Sequence, residues 1–285
     1  MLFCICFCPV WGQSRVEFIL EIDSAHSCMV EQRYDDALAF YMKAFACYPS
    51  KNPVYWFEAS SVAGRLKQET LSSLLLNQAI DKGFSLADIF KKSSAYLVLD
   101  SLKQEPFLMR IQKQDSLMNY LTEVLDTVFV KDQRERVQFM ANPKVMPEEV
   151  NARMGKMDLA NQNVVRNLIS LYGFWGESLK SPTAKYAMWL VLVHAPREIQ
   201  EEYMPVLCDA VDRGELYLMN VAYNEDKILY AKSGFQKYGT QYKLVDGELQ
   251  VLPLIEPDSV NVYRKRVGLN TLDEYLKEVK KMNVR

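Results

Sequence analysis

Residues 31–56, EQRYDDALAFYMKAFACYPSKNPVYW, decide the fold of the first half of the chain. Within them Tyr34, Ala37, Tyr41 and Ala44 follow one another at intervals of three or four residues, so they lie on one face of a helix. The small alanines allow a neighbouring helix to approach, the tyrosines fill the gaps beside them, and Pro49 ends the helix. This stretch predicts a helix that packs along one face against a partner helix.

The same spacing resembles the second helix of a tetratricopeptide repeat, with residues 19–29 as the first helix and Ala25 as its small packing residue. A weaker second copy follows and ends at Gly83, which suits the left-handed position after a helix. We therefore predict tetratricopeptide-like helical hairpins over residues 15–125. The resemblance implies a scaffold that binds a protein or peptide partner.

The composition is that of a globular protein. The 285 residues are 49% hydrophobic and 25% charged, which suits one large or two ordinary domains. Lys and Arg number 34 against 36 Asp and Glu, and no basic stripe recurs along the chain. We therefore expect no nucleic-acid partner.

The N-terminus predicts an export signal over residues 1–14. An apolar run over residues 2–11 is shorter than the roughly 20 residues that span a bilayer, so we expect no transmembrane span. The small-x-small pattern Gly12-Gln13-Ser14 then fits a cleavage site, which indicates the periplasm or the cell envelope. No Lys or Arg precedes the run, so a cytoplasmic protein with this segment as a buried strand stays the alternative.

The second half carries signals for further helices and one hairpin. Ser181 caps a helix that ends at His194, and Asp158 suits the N-cap of a helix that ends at Tyr172. Asp246-Gly247 supplies the tight turn of a hairpin over about residues 238–252. We therefore predict a mainly α protein: tetratricopeptide-like hairpins, then a helical domain over residues 126–285 with a small antiparallel β-ribbon.

A series of polar motifs runs through this half in order: Asp132, Gln133 and Arg136; Asp158 and Asn161; His194; Asp226 and Lys227; Gln236, Tyr238, Gly239, Thr240 and Gln241; Pro253, Ile255 and Glu256; Gly268, Leu269 and Tyr275. Their order resembles an uncharacterised bacterial domain family with a Gln-x-Tyr-Gly-Thr-Gln signature, over about residues 126–279. That family implies no assigned activity.

His194 and Asp132 are the candidate catalytic residues. A partly buried imidazole beside a carboxylate is what a general base needs, although a histidine in the last turn of a helix also answers the helix dipole. Asp132 and Arg136 share a helix face, either as an exposed ion pair or with Arg136 as a fork for a ligand. Asp158 could join Asp132 and His194 in a metal site, but no spacing requires a metal or another cofactor.

The stretch from Gln236 to Gln241 supplies the other candidate ligand-binding residues, Gln236, Tyr238, Thr240 and Gln241. Glutamines in strand-like positions have no propensity reason to be there, but hydrogen bonding beneath the ribbon is an equally good explanation. The run Arg264-Lys265-Arg266 is most simply a solvated loop.

Two functions follow from this sequence. The first is an exported interaction or ligand-binding module on a helical-repeat scaffold, with an unknown small ligand in the second domain. The alternative is a hydrolase or transferase in which His194 is the general base and residues 236–241 form a polar substrate clamp.

Overall fold

The computed structural model describes residues 13–84, 105–141, 148–245 and 248–283. The chain divides into two compact units, residues 1–121 with 212–214, and residues 122–211 with 215–285. Three predicted features lie outside the described residues: the apolar run of the export signal, residues 85–104 of the predicted helical hairpins, and the Asp246-Gly247 turn.

Four consecutive helices open the first unit: α1 (Gln13–Val30), α2 (Tyr34–Cys47), α3 (Pro53–Arg65) and α4 (Glu69–Asp81). Helix α1 packs on α2, α3 packs on α4, and α2 packs on α3. Because short connections join helices that pack along their lengths, each pair forms a hairpin. Asn52 begins α3 by accepting a hydrogen bond from the backbone N–H of Val54.

The helix face predicted from residues 31–56 is the buried face of α2. Ala37, Tyr41 and Ala44 are fully buried, and so is Ala25 on α1. Small residues at three of these positions let the helices approach closely. Phe45 of α2 then stacks on Trp56 of α3, with ring centroids 3.9 Å apart.

The second unit is built from the helices that follow. These are α5 (Glu105–Ala141), which begins in the first unit, α6 (Glu148–Tyr172), α7 (Pro182–His194), α8 (Arg197–Arg213), α9 (Leu218–Ser233), α10 (Val260–Arg266) and α11 (Leu272–Asn283). Helix α7 packs on both α6 and α9. As predicted, Ser181 caps α7 by accepting a hydrogen bond from the N–H of Ala184, with Pro182 in the first turn.

A two-stranded ribbon lies between α9 and α10. Strands β1 (Tyr242–Val245) and β2 (Glu248–Val251) pair antiparallel, with Val245 opposite Glu248. The predicted mainly α fold with a small antiparallel ribbon is therefore confirmed.

Two local predictions were wrong. Asp158 does not begin a helix, because α6 starts at Glu148 and runs through Gly155 without a break. Its carboxylate therefore binds a distant side chain and does not cap the backbone N–H groups at the start of a helix. Arg264 does not belong to a solvated loop: it lies in α10 with no exposed surface.

Within the described ranges, none of the helices combines the length and the apolarity needed to cross a bilayer.

Candidate functional site

A buried carboxylate and the histidine at the end of α7 form the centre of the candidate site. Asp132 of α5 is 1% exposed, and its two oxygens lie 3.1 and 3.3 Å from Nδ1 of His194. These two candidate catalytic residues are 62 positions apart in the sequence, and the fold brings them into hydrogen-bond contact.

Two further side chains of α5 hold Asp132 in place. Gln133 donates from Nε2 to Oδ2 of Asp132 at 2.8 Å. Arg136 lies one turn later, where its guanidinium donates to the Asp132 backbone carbonyl at 2.9 Å and approaches Oδ1 at 3.4 Å. Both side chains donate to Asp132, so its carboxylate is held in place as a hydrogen-bond acceptor.

Arg136 also reaches across to α6. One guanidinium nitrogen contacts both carboxylate oxygens of Asp158, at 2.8 and 2.9 Å. The cation therefore lies between the carboxylates of Asp132 and Asp158. Within the described part of the chain, no group of three His, Cys, Asp or Glu residues is arranged to hold a metal ion, so the metal alternative for Asp132, Asp158 and His194 gains no support.

His194 keeps its second ring nitrogen available. The side chain is 24% exposed, and no described residue hydrogen-bonds to Nε2. Because the Asp132 carboxylate accepts a hydrogen bond from Nδ1–H, the neutral ring carries its lone pair on Nε2. This is the arrangement in which a histidine removes a proton from a reactant.

Lys227 of α9 lies beside the same histidine, and the sequence reasoning did not include it among the site residues. Its ammonium donates to the carbonyl of Val193 at 2.5 Å, one residue before His194. Burial lowers the pKa of Lys227, and repulsion from Arg136 lowers it further. The signal available in the sequence was the Asp226-Lys227 pair among the family motifs.

Asn161 is a buried polar residue of α6, the helix that carries Asp158. It is 3% exposed, and its Nδ2 has no hydrogen-bond partner among the described residues. Asn161 lies one helical turn after Asp158 on α6, and both it and His194 are about three turns from the α6–α7 connection. The hairpin therefore places Asn161 towards the end where His194 lies.

The Gln236–Gln241 stretch forms a second network. Gln236 is fully buried, and its Nε2 donates to the carbonyls of Gln241 and Leu252, both at 2.8 Å. Its Oε1 accepts the backbone N–H of Gln241 at 2.8 Å. The side chain thus closes a loop across the base of the ribbon, and both of its N–H groups are occupied.

Asp226 of α9 anchors this network. Its carboxylate accepts backbone N–H groups of Lys237, Tyr238 and Thr240, and the Thr240 hydroxyl at 2.9 Å. Burial raises the pKa of Asp226, while these four hydrogen bonds oppose that shift. The loop is therefore wrapped around a buried carboxylate that belongs to a helix.

Arg264 also holds the loop in place. Its guanidinium donates to the carbonyl of Tyr238 at 2.7 Å and to that of Asn270 at 2.6 Å. Tyr275 donates its hydroxyl to the carbonyl of Thr240 at 3.1 Å. Burial lowers the pKa of Arg264.

The seven predicted site residues thus separate into two sets. Asp132 contacts both His194 and Arg136. The hydrogen bonds of Gln236, Tyr238, Thr240 and Gln241 run within the loop and to Glu225, Asp226, Leu252, Arg264 and Tyr275. Consecutive residues of α9, Asp226 and Lys227, connect the two sets.

Comparison with known proteins locates a family in this half of the chain. The model of a family of unknown function, DUF6624, matches residues 120–283, which include both networks. No curated protein and no solved structure matches the chain. Since the match covers more than half of the 285 residues, this chain belongs to the DUF6624 family, whose function is unknown.

Proposed function

We propose that the second half of the protein binds a small ligand and acts on it as a hydrolase or transferase, with His194 as the general base. The observation that supports this most directly is the contact between Asp132 and Nδ1 of His194, with Nε2 left without a described partner. In the reaction, Nε2 removes a proton from water or from an acceptor hydroxyl. The Nδ1–H group keeps its hydrogen bond to Asp132, and the carboxylate stabilises the imidazolium that forms.

Preorganisation of the acid–base pair supports the proposal. Asp132 is buried and held by Gln133 and Arg136, so its direction towards His194 does not depend on solvent. Val193, next to His194, has its carbonyl fixed by Lys227 and by Nε2 of Gln200. A histidine fixed at both backbone and ring loses little conformational freedom when it reacts.

The charges of the cluster also suit a base. Asp132 and Asp158 contribute two negative charges, and Arg136 and Lys227 contribute two positive charges, so the sum is zero with a neutral imidazole. A proton taken by His194 makes the cluster positive at the moment when an attacked group becomes negative.

The predicted ligand-binding residues take different parts in this proposal. Arg136 and Gln241 have partly exposed side chains, so we assign ligand contact to them. Gln236, Tyr238 and Thr240 are buried, and we assign them the positioning of α9 through Asp226. That interpretation replaces a clamp of glutamine side chains with a loop that fixes the helix carrying Lys227.

The test uses two chromogenic probes, p-nitrophenyl acetate and p-nitrophenyl phosphate. We expect hydrolysis of at least one above the buffer rate, and a loss of about 10²–10⁴-fold in His194→Ala without a change in melting temperature. His26→Ala is the matched control, because His26 also pairs with a carboxylate, Glu58, at 3.0 Å, but in the first unit. No hydrolysis of either probe, or equal rates for wild type and His194→Ala, would overturn the proposal.

The first unit supports a second, separate function. We propose that its hairpins form a tetratricopeptide-like scaffold for a protein or peptide, because the face predicted by that resemblance is the buried face of α2. Binding of a protein or peptide by residues 13–84 should persist in His194→Ala. Loss of that binding in the variant would contradict a separate scaffold.

Export to the periplasm or cell envelope stays a prediction from residues 1–14. Fractionation of cells that express the full chain tests it. Recovery from the periplasm with a shortened N-terminus is the expected result, and recovery of the intact chain from the cytoplasm would contradict it.

A further inference from the structure

Lys227 is a half-buried cation without a carboxylate partner. Its ammonium has three N–H donors, and the described structure offers one acceptor, the carbonyl of Val193. Two lysines close to it in the sequence are paired with carboxylates: Lys232 on the same helix lies 3.1 Å from Glu201, and Lys237 lies 3.6 Å from Glu225. Lys227 therefore differs from its neighbours in having hydrogen-bond donors left over.

The cluster is neutral in sum, but no described carboxylate contacts the Lys227 ammonium directly. Arg136 already contacts the carboxylates of Asp132 and Asp158, and its own positive charge repels the ammonium. Desolvation of an ammonium that lacks a counterion is unfavourable, and the lowered pKa of Lys227 reflects that penalty. An anion beside Lys227 would offset it.

The position of Lys227 decides where such an anion would lie. Its ammonium contacts the residue immediately before His194, and it is near enough to Arg136, which holds Asp132, to be repelled by that cation. An anionic group bound there is next to the general base. Binding energy from a charged group of the substrate would then orient the bond that His194 attacks through water or a hydroxyl.

We propose that Lys227 binds a negatively charged group of the substrate, a phosphate or a carboxylate, beside His194. This inference rests on the proposed function in naming the bound molecule a substrate, but the binding itself requires no chemistry. Charge-assisted hydrogen bonds from a partly desolvated ammonium are the interactions that recognise such groups.

The test is a titration of the full chain with inorganic phosphate and, separately, with acetate. Ring signals of His194 are followed by NMR, and His26 provides an internal reference because the chain has two histidines. We expect saturable shifts of the His194 signals with at least one anion and unmoved His26 signals. In Lys227→Met the same anion should bind at least about tenfold more weakly.

Lys232→Met is the matched control, since it removes a lysine of the same helix that already has a carboxylate. It should leave anion binding unchanged. If Lys227→Met does not fold, Lys227→Gln removes the charge and keeps a donor for the Val193 carbonyl. A preference for phosphate or for acetate identifies which of the two groups the substrate carries.

The outcomes separate this inference from the proposed function. Anion binding that depends on Lys227 supports the inference even if His194→Ala leaves hydrolysis unchanged. Active enzyme with no shift of His194 by either anion, or with shifts that persist in both Lys227 variants, overturns the inference alone.

Discussion

Asp226 and Lys227 are consecutive residues of α9 whose side chains enter different networks. The Asp226 carboxylate accepts hydrogen bonds from the loop that contains Tyr238 and Thr240. The Lys227 ammonium donates instead to the carbonyl of Val193, beside His194. Neighbouring helix positions point about 100° apart, so a single turn of helix serves both networks.

Replacement of Asp226 by Asn should lower the stability of the second unit. An amide can accept through its oxygen but opposes N–H donors with its own NH₂, so at least one of the donors from Lys237, Tyr238 and Thr240 loses its partner. We expect a decrease of about 2–4 kcal/mol in the free energy of unfolding, measured by urea denaturation. Asp258→Asn, at an exposed position, is the control and should change the free energy by less than about 0.5 kcal/mol. Equal effects of the two variants would contradict the anchoring role of Asp226.

Lys227 should make stability depend on pH in a defined direction. Its folded-state pKa is lowered from 10.5, so between that lowered value and 10.5 the unfolded chain binds more protons than the folded chain. The free energy of unfolding therefore rises with pH across this window. In Lys227→Met this contribution is absent. Urea denaturation of both proteins from about pH 7 to about pH 10 should show the difference, wild type minus variant, increasing with pH. A difference that stays constant would mean that burial does not disfavour the ammonium.

Asp132 should fix the tautomer of His194. In the neutral ring of the wild type we expect the proton on Nδ1, because the Asp132 carboxylate accepts a hydrogen bond from Nδ1–H. In Asp132→Asn, the amide can donate to Nδ1, and the proton should move to Nε2. Long-range ¹H–¹⁵N NMR spectra distinguish the two forms, and His26→Ala assigns the signals. An Nε2–H ring in the wild type would be inconsistent with His194 as a base at Nε2.

We expect the buried amide of Asn161 to lower the stability of the folded protein. Its buried Nδ2 lacks a described partner, and such a group costs about 1–3 kcal/mol. We expect Asn161→Leu, similar in size and apolar, to raise the melting temperature. Asn163 lies on the same helix at an exposed position, so Asn163→Leu should leave the melting temperature nearly unchanged. A lower melting temperature for Asn161→Leu would show that the amide contributes to folding.

The sequence predicted the helix boundaries correctly where the signal lies within a few residues of the boundary. Ser181 and Pro182 specified the start of α7, since a cap and a first-turn proline act within four residues. Asp158 gave an equally good local signal and was misinterpreted. A capping residue and an interior residue that binds a distant arginine look the same in sequence. Gly155 has a low helix propensity, so nothing in the sequence indicated that α6 continues through it.

The candidate site was predictable where helix periodicity applied. Asp132 and Arg136 are four residues apart, so their shared face followed from the sequence. Their contacts with His194 and Asp158 depend on packing between helices, which no spacing encodes. Arg264 was assigned to solvent because charged runs are usually exposed, but the loop carbonyls of Tyr238 and Asn270 supply the acceptors that permit burial.

Helix α5 runs without a break from Glu105 to Ala141, past the division between the units after Leu121. There is consequently no flexible linker at that point where a gene could be cut to express the second half alone. A fragment that starts at the family match, at residue 120, begins in mid-helix and frees four backbone N–H groups about three turns before Asp132. Fragments for biochemical work are better begun at Glu105, so that fraying at the new end stays far from Asp132.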